Sequence, residues 1–256
     1  LREACLAYSI PLISGKDSMK NDTRIGTQKI SIRPTLLISM TGIIDDVRRA
    51  RTSDFKSPGN ALYLIGPTGN DLVPSIYEEI VGPAGRGMRE ARNPSVDLPG
   101  ALRRYRALAE AFESGVVAST HDLSDGGLAA AVGECAIGGK IGAEIELSRI
   151  PVSPPAVPGE AATPEPAAAA WTGEKGDAFA PEALLFGESP SRILVEVPDH
   201  SVERFESNFA DIDPAEWGRI GEVSESYSLS FRAAGKIILE LSGEEIEAAW
   251  IARERV

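Results

Sequence analysis

Residues 116–135 read VVASTHDLSDGGLAAAVGEC, and here residue type and spacing suit chemistry best. His121, Asp122, Ser124 and Asp125 crowd together, and the pair Gly126 and Gly127 follows at once. An apolar strand around Val116 and Val117, an acidic turn, two glycines and an Ala-rich helix would put carboxylates and free backbone N–H groups at one sheet edge. Such an edge suits a metal-bound phosphate. The carboxylates would hold Mg²⁺ through oxygen ligands, phosphate oxygens complete the shell, and the glycines let the backbone approach closely. An ordinary capped turn fits the same letters, because Ser and Asp are preferred N-caps and Gly-Gly bends chains in many settings. The residues alone leave both readings open.

A second polar cluster, GKDSMKND, follows the short apolar run 12–14. Gly15 reaches backbone angles closed to other residues, Lys16 is a mobile point charge, and Asp17 and Ser18 are short polar groups suited to phosphate or ribose. It is not a P-loop: no Ser or Thr follows Lys16 directly, and the required earlier glycine falls on Ile10. A solvated hairpin turn is the alternative.

The elements that must carry these clusters are legible in part. A helix is predicted over 2–9, ended by Pro11, with Cys5 and Leu6 on one face, and a strand over 12–14. TLLISMTGII (35–44) is too continuously apolar for a half-exposed strand and is expected inside a sheet covered on both faces, ending at Asp45 and Asp46. A compositional change at 50–59 reads as a hinge, and ALYLIG (61–66) as a new strand. The Gly- and Arg-rich stretch 82–94 is either a connector or a phosphate-facing loop. Residues 99–114 form a clear helix, with Leu102, Tyr105, Leu108, Ala109 and Phe112 on one face and Gly115 closing it. The Pro/Ala-rich segment 151–181 reads as an insertion. Glu188 and Arg192, just before a strand at 193–197, either pair with one another or face a ligand. A helix over 202–209, a strand over 219–223, a hairpin turning at Ala234 and Gly235, and a last helix capped by Ser242 and Glu245 complete the chain.

At 256 residues with a net charge of −12, the chain has length for a full core. The acidic balance argues against a nucleic-acid-binding surface, which needs clustered Lys and Arg. Anions must therefore be met locally. Cys5 and Cys135 lie in apolar helical patterns without metal-ligand spacing and are expected to be reduced core thiols. No apolar run is long enough to span a bilayer and no leader opens the chain, so a cytoplasmic location is expected. The chain opens on Leu1 inside a helical pattern and is expected to be a piece of a longer one.

HDLSDGGLAAAVGE resembles a segment in the second ATP-binding half of the phosphoribosylformylglycinamidine synthases, a family within the AIR-synthase superfamily. IPLISGKDSMKND (10–22), PTLLISMTGIIDDV (34–47) and LLFGESPSRILVEV (184–197) agree with it in order and spacing. The GKDSM form resembles that family specifically. The acidic-Gly-Gly element alone also fits other superfamily members, such as cyclo-ligases, small-molecule kinases and selenophosphate synthetases. Residues 151–181 and the last few residues match poorly.

The resemblance implies an α+β fold, a mixed sheet layered with helices. Residues 1–50 would end an AIR-synthase-like N-terminal domain, and 55–256 would form the C-terminal domain. The activity implied is ATP- and glutamine-dependent conversion of a formamide to an amidine in purine biosynthesis. ATP or ADP and Mg²⁺ are the implied cofactors. Asp122 would contact the metal; Ser124, Gly126 and Gly127 the nucleotide; Gly15, Lys16, Asp17 and Ser18 would form a substrate- or phosphate-facing loop. The implied partners are a missing N-terminal half and a glutaminase domain or subunit. The family's catalytic histidine and ammonia-generating cysteine fall outside this sequence, so His121 inherits no such role and the chain alone is expected to be inactive. The second half of the larger family form holds an auxiliary, structural nucleotide, which leaves a non-catalytic nucleotide-binding scaffold as the alternative.

Overall fold

The computed structural model describes residues 1–16, 22–31, 36–72, 75–82, 96–153 and 180–253. Two units divide the chain, Leu1–Ala50 and Arg51–Val256. In the first, helix α1 (Arg2–Tyr8) stops where Ser9 turns left-handed at φ 56°. Strands β1 (Thr23–Ile25) and β2 (Gln28–Ile30) form an antiparallel hairpin. Asp46 caps a single 3₁₀ turn, Val47–Arg49, accepting from the Arg48 backbone N–H at 3.0 Å. It does not end a strand, because the expected strands at 12–14 and 35–44 do not form: the described residues 12–14 and 36–44 are irregular. Leu37 is 87% exposed and Ile43 93%. An apolar run is buried on both faces only when other elements cover it. Among its described residues this unit offers one seven-residue helix and two three-residue strands. Cys5 is half-buried and so is not a core thiol.

The second unit is built on seven strands: β3 (Ala61–Ile65), β4 (Ser119–Asp122), β5 (Gly142–Glu146), β6 (Ile193–Val197), β7 (Trp217–Ser224), β8 (Ser228–Ala233) and β9 (Lys236–Ser242). They lie in the order β4-β6-β3-β7-β5-β8-β9. Every neighbouring pair is antiparallel except β5 with β8. All five residues of β3 are buried, as its apolar run requires of a central strand. Ala61, Tyr63 and Ile65 enter one core with Leu108, Phe205 and Phe209, supplied by helices α3 (Leu98–Glu113) and α6 (Val202–Asn208) and the residue after it. Leu62 and Leu64 enter the other, with Leu128, Val132 and Leu184 from α4 (Gly127–Gly139) and α5 (Pro181–Phe186). This unit is thus a mixed sheet covered by helices on both faces, of the α+β class.

Helix α3 turns a slightly different face to the sheet from the one its bulky residues suggest. Ala101, Ala107, Leu108 and Ala111 are buried, as is Arg104, which pairs with Glu216, while Ala109 is exposed. Small side chains let the helix lie close, and Leu102, Tyr105 and Phe112 fill its flanks half-buried. At the far edge, Ala234 (φ 48°) and Gly235 (φ 77°) make the two-residue turn between β8 and β9, both in the left-handed conformation that such a hairpin prefers. Helix α7 (Gly243–Arg253) then starts from a reciprocal capping box: Ser242 N–H donates to Glu245 at 2.8 Å, and Glu245 N–H to Ser242 Oγ at 3.3 Å.

The segment expected to be a hinge is held to the sheet from Arg51 onward. Arg51 Nε donates to the Val117 carbonyl at 2.9 Å, and Phe55 is 2% exposed, its N–H on the Cys135 carbonyl at 3.1 Å. Glu196, fully buried on β6, completes the attachment. It accepts from the N–H groups of Lys56 (3.0 Å) and Ser57 (3.1 Å), from Asn60 Nδ2 (2.6 Å) and from Ser119 Oγ (2.7 Å). The expectations for 83–94 and for most of the insertion, residues 154–179, lie outside the described residues.

Candidate functional site

The acidic turn lies at the end of an edge strand. His121 and Asp122 belong to β4 itself, whereas Val116 and Val117 are buried in the connector that leads into it. Pairing with β6 draws the polar residues into the ladder, with Asp122 opposite Ile193 and His121 opposite Leu194. Alternation then sends neighbouring side chains to opposite faces. His121 turns toward α4, its Nε2 2.9 Å from Glu134 Oε2 and its Nδ1 2.5 Å from the Asp122 carbonyl oxygen. The Asp122 side chain is 82% exposed, with His121 Nδ1 3.8 Å away. With Ser53, Leu108, Phe112, Thr120 and Ile193, His121 and Asp122 line an open pocket of about 430 Å³.

After β4 the chain turns through exposed Ser124 and Asp125 into α4. Gly126 (φ 78°) and Gly127 (φ 65°) both take left-handed angles that side chains resist. Their close approach is to the protein itself. A Cβ on Gly127 would lie 2.6 Å from the Gly187 carbonyl oxygen and 2.9 Å from Phe186 backbone carbon, at the end of α5. The N–H groups are also engaged internally: Gly126 donates to Glu188 Oε1 at 2.9 Å and Gly127 to the Ser124 carbonyl at 3.1 Å. Neither of these two N–H groups is therefore free at the sheet edge. A carboxylate sixty-two residues away already takes the first, and the turn takes the second.

Glu188 and Arg192 do not bond one another, and each meets other groups of the protein. Glu188 Oε1 also accepts from Ile76 N–H at 2.9 Å, the first residue of helix α2 (Ile76–Val81). Arg192, 1% exposed, donates to the carbonyls of Ser189 (3.0 Å) and Gly187 and to Thr68 Oγ1 (3.2 Å). Burial lowers its pKa to about 10, against the raising influence of Asp71 and Glu188. Its backbone carbonyl receives Leu123 N–H at 3.1 Å, which joins this loop to the acidic turn. Sequence reasoning missed Glu188 as a cap because its two partners are 112 and 62 residues distant.

Among the described residues no group of three or more His, Cys, Asp or Glu is arranged to hold a metal. Asp122 nonetheless fits Mg²⁺ as a single exposed hard donor, since this ion keeps several waters and commonly uses one or two carboxylates together with phosphate oxygens. Gly15 and Lys16 are exposed residues of the first unit; Asp17 and Ser18 lie outside the described residues.

Residues 57–233 match the AIR synthase related protein, C-terminal domain, and the chain belongs to this family. Its fold is similar to that of Thermotoga maritima PurL complexed with FGAR, at 19% identity and a TM-score of 0.59, covering 78% of this chain and 30% of that one. It is similar to PurL from the same organism complexed with ATP (19%, TM-score 0.53, covering 78% and 27%). It is also similar to Thermotoga maritima phosphoribosylformylglycinamidine synthase II (19%, TM-score 0.55, covering 78% and 28%). The chain thus spans less than a third of the length of each. No described helix is long and apolar enough to cross a membrane.

Proposed function

We propose that this chain is part of a phosphoribosylformylglycinamidine synthase, an ATP- and glutamine-dependent carbon–nitrogen ligase of purine biosynthesis that converts formylglycinamide ribonucleotide to its amidine. Its share of the work is to bind a magnesium nucleotide at the edge of β4. The observation that carries this reading is the Asp122 carboxylate, 82% exposed at the end of an edge strand beside exposed Ser124, in a chain of this family. Asp122 would hold Mg²⁺ and Ser124 would contact the nucleotide, while Gly126 and Gly127 shape the turn. The bound ion would supply charge neutralisation for phosphates, the main requirement of phosphoryl chemistry. Residues 1–50 would be the end of an N-terminal domain, with Gly15 to Ser18 facing substrate or phosphate. A further half and a glutaminase domain or subunit would complete the enzyme in the cytoplasm, and this chain alone would form no amidine. His121, held by Glu134 and the Asp122 carbonyl, would orient the strand end.

A scaffold role is the second reading, favoured by those same contacts, which engage both ring nitrogens of the histidine nearest the turn. Asp122→Asn in the complete protein tests the site under either reading. A ligand bound only to the native state stabilises it by roughly 2.7 kcal/mol at a hundredfold excess over its dissociation constant. Melting curves with and without Mg-ADP should show a clear upward shift in the wild type and a much smaller one in Asp122→Asn. A plain cap would tolerate Asn almost without cost, so equal shifts in the two proteins rule out the metal-ligand role. Amidine formation that disappears with the shift indicates a catalytic nucleotide; formation that persists indicates a structural one.

A further inference from the structure

Strand β4 is four residues long and ends the sheet, so among the described residues its ladder partner is β6 alone. A short strand bonded on one side opens at low cost. Residues 51–57 reinforce it near its start: Arg51 Nε donates to the Val117 carbonyl, and Ser53 lines the same pocket as Thr120, His121 and Asp122. The same segment is seated on α4. Phe55 N–H meets the Cys135 carbonyl, and Gly138 and Gly139 leave the room the segment occupies. A Cβ on Gly139 would come within 3.1 Å of the Phe55 backbone nitrogen, and one on Gly138 within 2.8 Å of Asp54 Cβ. Residues 51–57 therefore grip both elements that flank the acidic turn, β4 before it and α4 after it.

We propose that residues 51–57 and 117–123 form one cooperative latch, which leaves the sheet and re-seats on it as a unit while β3, β6 and β7 stay paired. Glu196 is the joint. Its carboxylate takes the Lys56 and Ser57 N–H groups from the segment and the Ser119 hydroxyl from the strand. A buried carboxylate is tolerated only while its donors are in place. When the segment lifts away, water must enter to replace two of them, and water that reaches Glu196 also competes with Ser119. Loss of one attachment thus undermines the other. Leu123 N–H, on the Arg192 carbonyl at 3.1 Å, ties the end of the strand to the sheet, so an open latch releases the acidic turn as well. Strand β3 keeps β6 and β7 on its two sides throughout. The latch needs no ligand and stands apart from the nucleotide reading. It makes the fixed frame of Asp122 depend on a segment tied to its strand across 66 residues of chain.

Native-state hydrogen exchange of the complete protein, at several urea concentrations below unfolding, reads the latch directly. The amides of Phe55, Lys56 and Ser57 report the segment, and those of Ala118 and Leu123, bonded to the Glu196 and Arg192 carbonyls, report the strand. All five should share one opening free energy and one urea dependence, and should exchange at least about tenfold faster than the amides of β3. Ser119→Ala then cuts the joint from the strand side only, leaving every contact of the segment in place. It should speed exchange at Phe55, Lys56 and Ser57 by the same factor as at Ala118 and Leu123, about tenfold for one hydrogen bond to a carboxylate. If Ser119→Ala does not fold, the shared free energy and urea dependence of the wild type decide alone. Different urea dependences for the two stretches, or a Ser119→Ala protein in which only Ala118 and Leu123 exchange faster, would show two separate attachments and overturn the latch. Exchange of all five amides no faster than β3 would overturn it too, because the segment and strand would then open only when the whole unit unfolds.

Discussion

Truncating Glu196 to alanine should unfasten the segment that leads into the sheet. Four donors converge on this fully buried carboxylate: two backbone N–H groups, at Lys56 and Ser57, the Asn60 amide and the Ser119 hydroxyl. An ionised carboxylate is acceptor-only, so all four fit it and none has a replacement at hand. Leaving a buried donor unsatisfied costs about 1–3 kcal/mol, but these donors share one site and local collapse or entering water will recover part of the loss. The expected total is about 3–5 kcal/mol. For a unit of this size each kcal/mol shifts the melting temperature by about 2–4 °C, so Glu196→Ala should melt on the order of 10 °C below the wild type. Glu196→Gln tests the mechanism. Its amide oxygen can keep the Lys56, Ser57 and Asn60 donors while its NH₂ faces Ser119, whose hydroxyl can rotate to accept, and the loss should be about 1–2 kcal/mol. Urea or thermal unfolding of the two variants and of Ser119→Ala, followed by circular dichroism, provides the data. A Glu196→Ala protein within about a degree of the wild type would refute the reasoning, as would a glutamine variant no more stable than the alanine one.

Two further outcomes concern the core. Burial pushes the Cys135 thiol from its ordinary 9.0 up to about 12, aided by Glu134 and Glu196. A raised pKa on a group that is neutral when protonated means that its stabilising effect is complete below pH 9 and is lost as pH rises toward 12, by up to about 1.4 kcal/mol per pH unit. Cys135→Ala should flatten that alkaline slope in urea unfolding series, and native Cys135 should react with a thiol reagent only at the rate of unfolding. Gly127→Ala should destabilise by about 2–4 kcal/mol, since its Cβ would meet backbone atoms of Phe186 and Gly187 within 3.0 Å at a φ of 65°. A melting temperature equal to that of the wild type would show that α4 can retreat from α5.

What the sequence discloses depends on how local the determining contacts are. The strand over Ile193–Val197 is announced by its own apolar run, the turn at Ala234 and Gly235 and the Ser242–Glu245 box rest on neighbours within a few residues, and each is present as read. The run 36–44 misled because its hydrophobicity reports a need for cover and not its supply. The acidic turn was recognisable from Asp122, Ser124 and the two glycines, but its wiring was not. In ILVEV the glutamate reads as an ordinary break in an apolar strand, because its donors come from residues 56–60 and 119. Nor did GES suggest that Glu188 would bind the starts of two helices.

The order of the strands in the sheet also sets how long each strand waits for its partners during synthesis. Strand β3 has its two partners in β6 and β7, which begin only at Ile193 and Trp217, and between β3 and β6 the chain supplies none of the ladder that β3 needs. At ribosomal speeds of about 5–20 residues per second, ALYLI leaves the ribosome on the order of ten seconds before any strand able to pair with it. The most apolar strand of the domain is thus synthesised first and satisfied late. High contact order of this kind slows folding and leaves an open strand exposed to chaperones and to other nascent chains. Slowing translation between β3 and β6 would lengthen that interval, and soluble yield would fall even though the finished protein is unchanged.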